Sequence, residues 1–420
     1  MRRCFPQADF FFFQFFISTS FYFKFFAYIC SMKRLFVIIL AVWLYAGPSL
    51  AQEQKLEMTR SVKKLETYID TITKRGVDKR YIEVPAKPWQ IVLKYNCNEM
   101  DLISTSMVSA EKMAMLGING VSNTEVSFNP RLSTSIGVWL GYRGYGLGYS
   151  FSITGNNGRN LALSVSGYNY GLNLRLRKFT TDRLDAHMWG NDEFGPYDLY
   201  EKDAMAFDDI SVNSLIFDGY YLLNGKRFSY SAAYDQSVKQ IRSAGSFVAG
   251  AMWFHTSFNM SQWLNAPLVQ LMSNIGRVKI DEGALGMGYA YNWIPAKNLL
   301  FNVTAIPMLV LYNHTKMYLY ESNYDIFLSE GEISPTGKKA YPDDLNDTSW
   351  MDDVILYQTG TAVRHSKVSF NLDAHFSVVY NWNNFYFNIN GQWNYFHNKF
   401  DDNKIKLYDW YINALIGIRL

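Results

Sequence analysis

Six histidines, at positions 187, 255, 314, 365, 375 and 397, are the natural starting points for catalysis or metal binding. No two stand in an HExxH spacing and none joins a Cys/His cluster able to hold zinc, so no metal site is expected. No catalytic or cofactor-binding residue stands out either. His375 follows Asp373, and Ser369 and Ser377 share their parity, so a Ser-His-Asp hydrolase can be drawn along that face. A hydrolase acting on membrane lipid needs its Ser and His on the lipid side, and the parity of His375 is the opposite one. A hydrated interior histidine is the alternative. Asp343, Asp344, Asp347, Asp352 and Asp353 gather oxygen ligands that could take Ca²⁺ within 343–353, but without the ordered spacing and turn glycine of an EF-hand loop. The alternative there is a solvated acidic loop. Gly137, Gly141, Gly144, Gly146 and Gly148 can be forced towards a nucleotide fingerprint, yet no helix follows, and close strand packing or a turn explains them better.

The elements that must carry these residues are strands. From Lys367 to Tyr380 the even positions Val368, Phe370, Leu372, Ala374, Phe376, Val378 and Tyr380 are all apolar, and the odd positions are mostly polar. After a turn at Asn381-Trp382-Asn383-Asn384 the same alternation runs from Phe385 to Tyr395, and again from Trp410 to Leu420. The polar side of these segments carries Lys367, Asn371, Asp373, His375, Asn388, Asn390, Gln392, Asn394, Asn413 and Arg419, the expected lumen-facing residues of a barrel. The segment Trp410–Leu420 is similar to the C-terminal signal by which the assembly machinery takes up outer-membrane barrels, with Leu420 where an aromatic residue is commoner.

Upstream, strands are read at Trp89–Asn98, Leu132–Gly141, Tyr145–Thr154, Leu161–Lys178 with a bulge near Gly167, Ile210–Leu223, Phe228–Gln236, Phe247–Phe258, Asp281–Trp293 and Leu299–Tyr312, twelve in all. Asn224-Gly225 reads as a two-residue hairpin turn. An even number suits a single-chain antiparallel transmembrane β-barrel. Counting back from Leu420, however, the long segment 179–208 falls on the short-turn side and Asn224-Gly225 on the long-loop side. A strand is therefore merged or missed, within Leu161–Lys178 or near Lys316–Phe327, and the range is ten to fourteen. A soluble exported β-sandwich would also alternate. The long strands and the aromatic residues at their ends, Tyr149, Trp293, Tyr380, Trp382, Tyr395 and Trp410, favour the barrel.

The N-terminal region differs in kind. Residues 1–31 hold eleven Phe without period and read as an upstream extension of the reading frame. Residues 32–51 have the anatomy of a signal peptide: Lys33-Arg34, the apolar stretch Leu35–Tyr45, Gly47-Pro48 and small residues before Gln52. Cys4 and Cys30 leave with these segments, so Cys97 has no internal disulfide partner. Residues 52–80 are polar, with eight Lys or Arg and a helical spacing of Leu56, Val62, Leu65, Ile69 and Ile72, and read as a short periplasmic segment, either an amphipathic helix or a disordered tether, ahead of a barrel at 81–420. The whole chain carries a net charge of +3, which gives no basic footprint for nucleic acid.

Asp78–Trp89, Gly219–Tyr230, Ser243–Phe247 and Gly286–Trp293 together resemble the DUF4421 family of Bacteroidota. The resemblance runs from about Asp78 to Leu420 and implies an exported outer-membrane β-barrel of unassigned function. It adds location and no chemistry. Three functions are carried forward: a pore for small polar solutes, expected first; a plugged barrel whose outer loops, 99–129, 179–208 and 313–364, bind a ligand or surface partner; and, third, an outer-membrane hydrolase. The expected partners are outer-membrane lipid and the assembly machinery.

Overall fold

The computed structural model describes residue 64 and residues 76–108, 121–128, 132–155, 158–192, 195–272, 274–323, 354–365, 369–400 and 403–420. Two compact units are distinguished, Met1–Ile69 and Asp70–Leu420, and all the described residues but Lys64 belong to the second. The expected extension and signal peptide, most of 52–80, the acidic segment 343–353 and Lys367 lie outside the described residues.

The first half contains β1 (Ile82–Glu83), β2 (Trp89–Val108), β3 (Val121–Phe128), β4 (Ser133–Tyr142), β5 (Tyr145–Thr154), β6 (Arg159–Ser166), β7 (Tyr170–Asp192) and β8 (Gly195–Leu222). Then come β9 (Lys239–Gln240), β10 (Ala244–Asn259), a short helix α1 (Ala266–Leu271), β11 (Ile275–Ala296), β12 (Leu299–Ser322), β13 (Leu356–Arg364), β14 (Ser369–Trp382), β15 (Phe385–Phe400) and β16 (Asn403–Arg419). Twelve strands, β2, β4 to β8, β10 to β12 and β14 to β16, each pair antiparallel with the next, and β16 returns to pair with β2. Closure leaves no unpaired edge in the ring. At the seam Leu420 N donates to Trp89 O (2.9 Å) and Trp89 N to Leu420 O (3.3 Å). β3 bridges β2 and β7 beyond the ends of the short β4, β5 and β6, and β13 continues along β12 past the end of β14.

The tight turns gather at one end of the barrel, here the turn end. Arg143 and Gly144 between β4 and β5 both take positive φ (49° and 90°), as a two-residue hairpin turn demands. Asn298 and Asn383 (φ 70° and 52°) serve the same purpose between β11 and β12 and between β14 and β15. Apart from the connection between β8 and β10, the long connections gather at the opposite, loop end.

Twelve is the expected number, but its membership is corrected twice. Leu161–Lys178 is two strands, β6 and β7, paired from Arg159–Lys178 to Ser166–Gly171, and Gly167 belongs to the turn between them and not to a bulge. Phe228–Gln236 is not a strand of the wall; it lies in a segment, residues 224–243, folded into the barrel at the turn end. The Asn224-Gly225 hairpin is lost with it. These changes put 179–208 at the loop end and 224–243 at the turn end, which removes the mismatch in loop lengths. Much of the three expected outer loops is strand instead: β2 extends to Val108, β7 and β8 form one long hairpin, and β12 runs to Ser322.

Outward-facing positions are apolar along the ring, among them Leu285, Met287, Val303, Leu311, Phe370, Ile389 and Ile416, all exposed. Among the described residues no helix is long and apolar enough to cross a membrane.

Candidate functional site

The inward positions sort by height. Nearest the loop end they are apolar: Met100, Leu102, Phe128, Phe179, Val212, Phe254, Phe258, Ile280, Phe396 and Leu407 form one buried cluster with Met260, Leu268 and Val269 of the connection that carries α1. Phe254 on β10 stacks on Phe396 on β15 (ring centroids 4.7 Å apart, interplanar angle 21°), a contact across the lumen. The α1 connection is clasped by Asn265, whose Oδ1 accepts from Asp208 N (3.0 Å) and whose Nδ2 donates to Asp208 O (3.1 Å). The polar face read along the C-terminal strands does not extend round the loop end, where β10 turns Met252, Phe254 and Phe258 inward.

The turn end is filled by residues 224–243. Phe228, Tyr230, Ala232, Ala233, Gln236 and Val238 of this plug are buried. Outside β9 its backbone polar groups join no strand ladder, and a buried unpaired carbonyl is destabilising. Wall side chains satisfy them instead. Ser377 Oγ (2.6 Å) and Asn388 Nδ2 (3.0 Å) both donate to Ala233 O, Asn292 Nδ2 donates to Ser229 O (2.8 Å), and Arg419 donates to Gln236 O through Nε (3.2 Å) and Nη2 (3.1 Å). The plug returns bonds: Tyr234 Oη donates to Asn302 Oδ1 (2.6 Å), and Asp235 Oδ2 accepts from Ser166 Oγ (2.6 Å). From below, β1 pairs with β9, placing Ile82 against Ala232, Ala233 and Val238. Asp78 N donates to Lys226 O (2.8 Å), and Arg80 donates to both oxygens of the Asp78 carboxylate. Arg80 and Arg227 hold that carboxyl down at about 2.

Between plug and apolar cluster lies a polar chamber of about 180 Å³, room for on the order of ten waters. Lys94, Arg175, Arg177, Asp218 and His375 line it, with Tyr220, Tyr230, Tyr234 and Tyr411. Arg177 Nη1 reaches Asp409 Oδ1 at 2.7 Å across the lumen, the carboxylate being fully buried. Arg175 approaches Asp218 at 3.5 Å, and Lys94 and Arg175 both lie over the Tyr411 ring, 5.9 and 5.4 Å from its centroid. Arg175 Nη1, Asn160 Oδ1 and Ser164 Oγ are buried here without a protein hydrogen-bond partner.

The expected lumen residues take the following places. Asn390, Gln392, Asn413 and His375 line the chamber. Asn96 Nδ2 donates to Asn413 Oδ1 (2.7 Å) and Asn413 Nδ2 to Asn390 Oδ1 (2.8 Å), a run of amides across β2, β16 and β15. Asn394 Oδ1 accepts from Gln392 Nε2 (3.2 Å), whose other acceptor is Asp373 Oδ1 (2.8 Å). Asn371 donates to Glu282, while Asn388 and Arg419 hold the plug. Asp373 Oδ1 lies 2.8 Å from His375 Nε2, but Ser377 is spent on Ala233 and Ser369 Oγ has no partner, so no Ser-His-Asp triad is assembled. Among the described residues no group of three or more His, Cys, Asp or Glu could hold a metal ion.

Lys94, Arg175, Arg177, Asp218 and the tyrosines of the plug were not among the expected residues. The signal for two of them is plain once β7 stands alone: Asn173, Arg175 and Arg177 alternate with Leu172, Leu174 and Leu176. Reading β6 and β7 as one strand hides it. The glycine cluster is structural, since Gly146 and Gly148 lie under the Trp139 ring, where a Cβ would clash.

No curated protein matches the sequence. Among solved structures, the chain is similar to outer membrane protease OmpT from Escherichia coli (9% identity over 79% of this chain and 97% of that one, TM-score 0.33). It is also similar to the translocator domain of autotransporter NalP from Neisseria meningitidis (9%, 88% and 100%, TM-score 0.25) and to the toluene transporter TodX of P. putida (7%, 79% and 89%, TM-score 0.22). Such scores carry no argument about activity. Family membership rests on sequence: a family model, DUF4421, matches residues 94–417, from β2 through β16, and the chain belongs to that family, a domain of unknown function.

Proposed function

We propose that the protein is an outer-membrane β-barrel closed by its own chain, holding a polar chamber rather than an open channel. The observation that carries this reading is the plug: residues 224–243 occupy the turn end of the lumen, and four wall side chains bind their carbonyls. The membrane setting is supported by the outer wall. Trp253 and Tyr312 stack over Gly283 near the loop end, and Trp293 and Phe301 pair near the turn end. Gly283 to Trp293 is ten residue steps, and at ~3.4 Å each with ~40° tilt these reach ~26 Å, the height of the apolar band of outer-membrane barrels. The turn end is then periplasmic, as short turns are in such barrels.

The polar chamber favours a second reading, a gated pore for small polar solutes whose gate is the plug. Planar-bilayer recording of the mature protein, and of a variant in which residues 229–238 are replaced by a Gly/Ser linker, separates these. Both readings expect silence from the unmodified protein at low voltage and discrete steps from the linker variant, in which the seal is gone. Transient steps of the unmodified protein at raised voltage support the gated pore, and silence at every voltage, with heat-modifiable folding retained, supports the closed barrel. Steady conductance of the unmodified protein overturns the plug as a seal.

A further inference from the structure

On the outer wall, beyond the Trp253–Tyr312 stack towards the loop end, Arg277 and Lys279 of β11 and Lys316 of β12 surround the Tyr318 ring, at 5.4, 5.4 and 5.1 Å from its centroid. Lys279 and Lys316 are register partners. Like charges directly opposite on neighbouring strands repel, and cation–π contact with a single phenol offsets only part of that. Arg277 Nε donates to Ser257 Oγ (3.3 Å), a neutral partner. Asp281, two residues from Lys279 on the same face, is engaged by His255 Nδ1 at 2.6 Å. Among the described residues, neither lysine ammonium has a carboxylate partner. Such a face wants an external anion.

Its height indicates which one. Lys279 lies four residue steps beyond Gly283, ~10 Å above the upper aromatic pair at the same rise and tilt, where lipid headgroups meet the apolar band. Directly below, Leu285, Met287 and Leu311 are exposed on the same strands. Cations above an apolar strip match a molecule with phosphate above and acyl chains below. We propose that this patch binds the phosphorylated headgroup of an outer-leaflet lipid, with its chains along that strip. The proposal rests on the membrane reading above and not on the plug.

Native mass spectrometry of the mature protein in detergent micelles tests it, titrating phosphorylated lipid A, the same lipid dephosphorylated, and inorganic phosphate. The phosphorylated lipid should be retained best, and Lys279→Gln/Lys316→Gln should weaken it by roughly 30-fold, the usual strength of two lysine contacts to an anionic lipid surface. Lys279→Arg/Lys316→Arg should keep it, and so should Lys297→Gln at the turn end. Equal retention of the dephosphorylated lipid, equal affinity for inorganic phosphate, or a double Gln variant that binds as before while still heat-modifiable overturns this proposal alone. A mature protein that stays monomeric in buffer without detergent overturns it together with the membrane reading.

Discussion

Arg419, the last residue of the last strand, donates from Nε and Nη2 to the carbonyl of Gln236 in the plug, and its Nη2 also reaches Asn381 Oδ1 at 2.9 Å. One guanidinium, stacked 4.7 Å over the Tyr386 ring, thus ties barrel closure to the filling of the lumen. Arg419→Ala leaves the Gln236 carbonyl buried and unpaired, and should destabilise the barrel by ~2–3 kcal/mol. A lower heat-modification temperature on gels, together with faster proteolysis within 224–243, is the expected result.

The cross-lumen pair Arg177–Asp409 makes a sharper test of the chamber. Removing only Asp409 strands a buried guanidinium, so Asp409→Leu should lose ~3–5 kcal/mol, whereas Arg177→Met/Asp409→Leu should recover most of the loss. Thermal unfolding of the two single variants and the double closes the cycle. Equal losses for Asp409→Leu and the double variant would refute the pairing.

Gly146 has no room for a methyl group, because the Trp139 ring covers it. Gly146→Ala should therefore overpack the inner face of β4 and β5 at ~1–3 kcal/mol, and Trp139→Leu in the same chain should relieve it. Unfolding midpoints in denaturant report both effects.

Ile82 is buried against Ala232, Ala233 and Val238. Ile82→Ala should cost ~2–4 kcal/mol locally and expose the plug from below. Limited trypsin digestion in detergent should then cut after the exposed Arg227 and Arg242 faster than in the unmodified protein.

The Asp78 clamp has a defined pH signature. Its carboxyl is held below the ordinary 3.8, at about 2, chiefly by the hydrogen bond from Arg80. A group depressed on folding contributes above its ordinary value and loses that contribution as the pH falls through the folded value. Docking of residues 76–83 should thus be unchanged from neutral pH to about 3.8 and fade towards about 2. Asp78→Asn should remove this dependence, as hydrogen exchange of the Ile82 amide would report.

Strand parity could be read from the chain because it is local: alternate side chains point to opposite faces whatever the strand pairs with. Asn371, Asp373, Ser377, Asn388, Asn390, Gln392, Asn394, Asn413 and Arg419 are all buried, and Phe370, Phe376, Tyr380, Phe387, Ile389, Ile412 and Ile416 are all exposed, as alternation requires. The same locality explains the error at Leu161–Lys178. A turn at residues 167–169 reverses the chain, and a one-dimensional pattern records that only as a change of phase.

What the inward residues meet is not local. Phe228–Gln236 has the apolar content of a strand, and the wall side chains that meet its carbonyls, Ser377, Asn388 and Arg419 among them, each more than a hundred residues away, make it a plug. Arg177 finds Asp409 at a sequence separation of 232. Amino-acid order alone determined that this protein makes strands, and which side of the C-terminal ones is polar. The closed fold decided that the polar side encloses a chamber, because sealing a lumen depends on segments from distant parts of the chain arriving at one height.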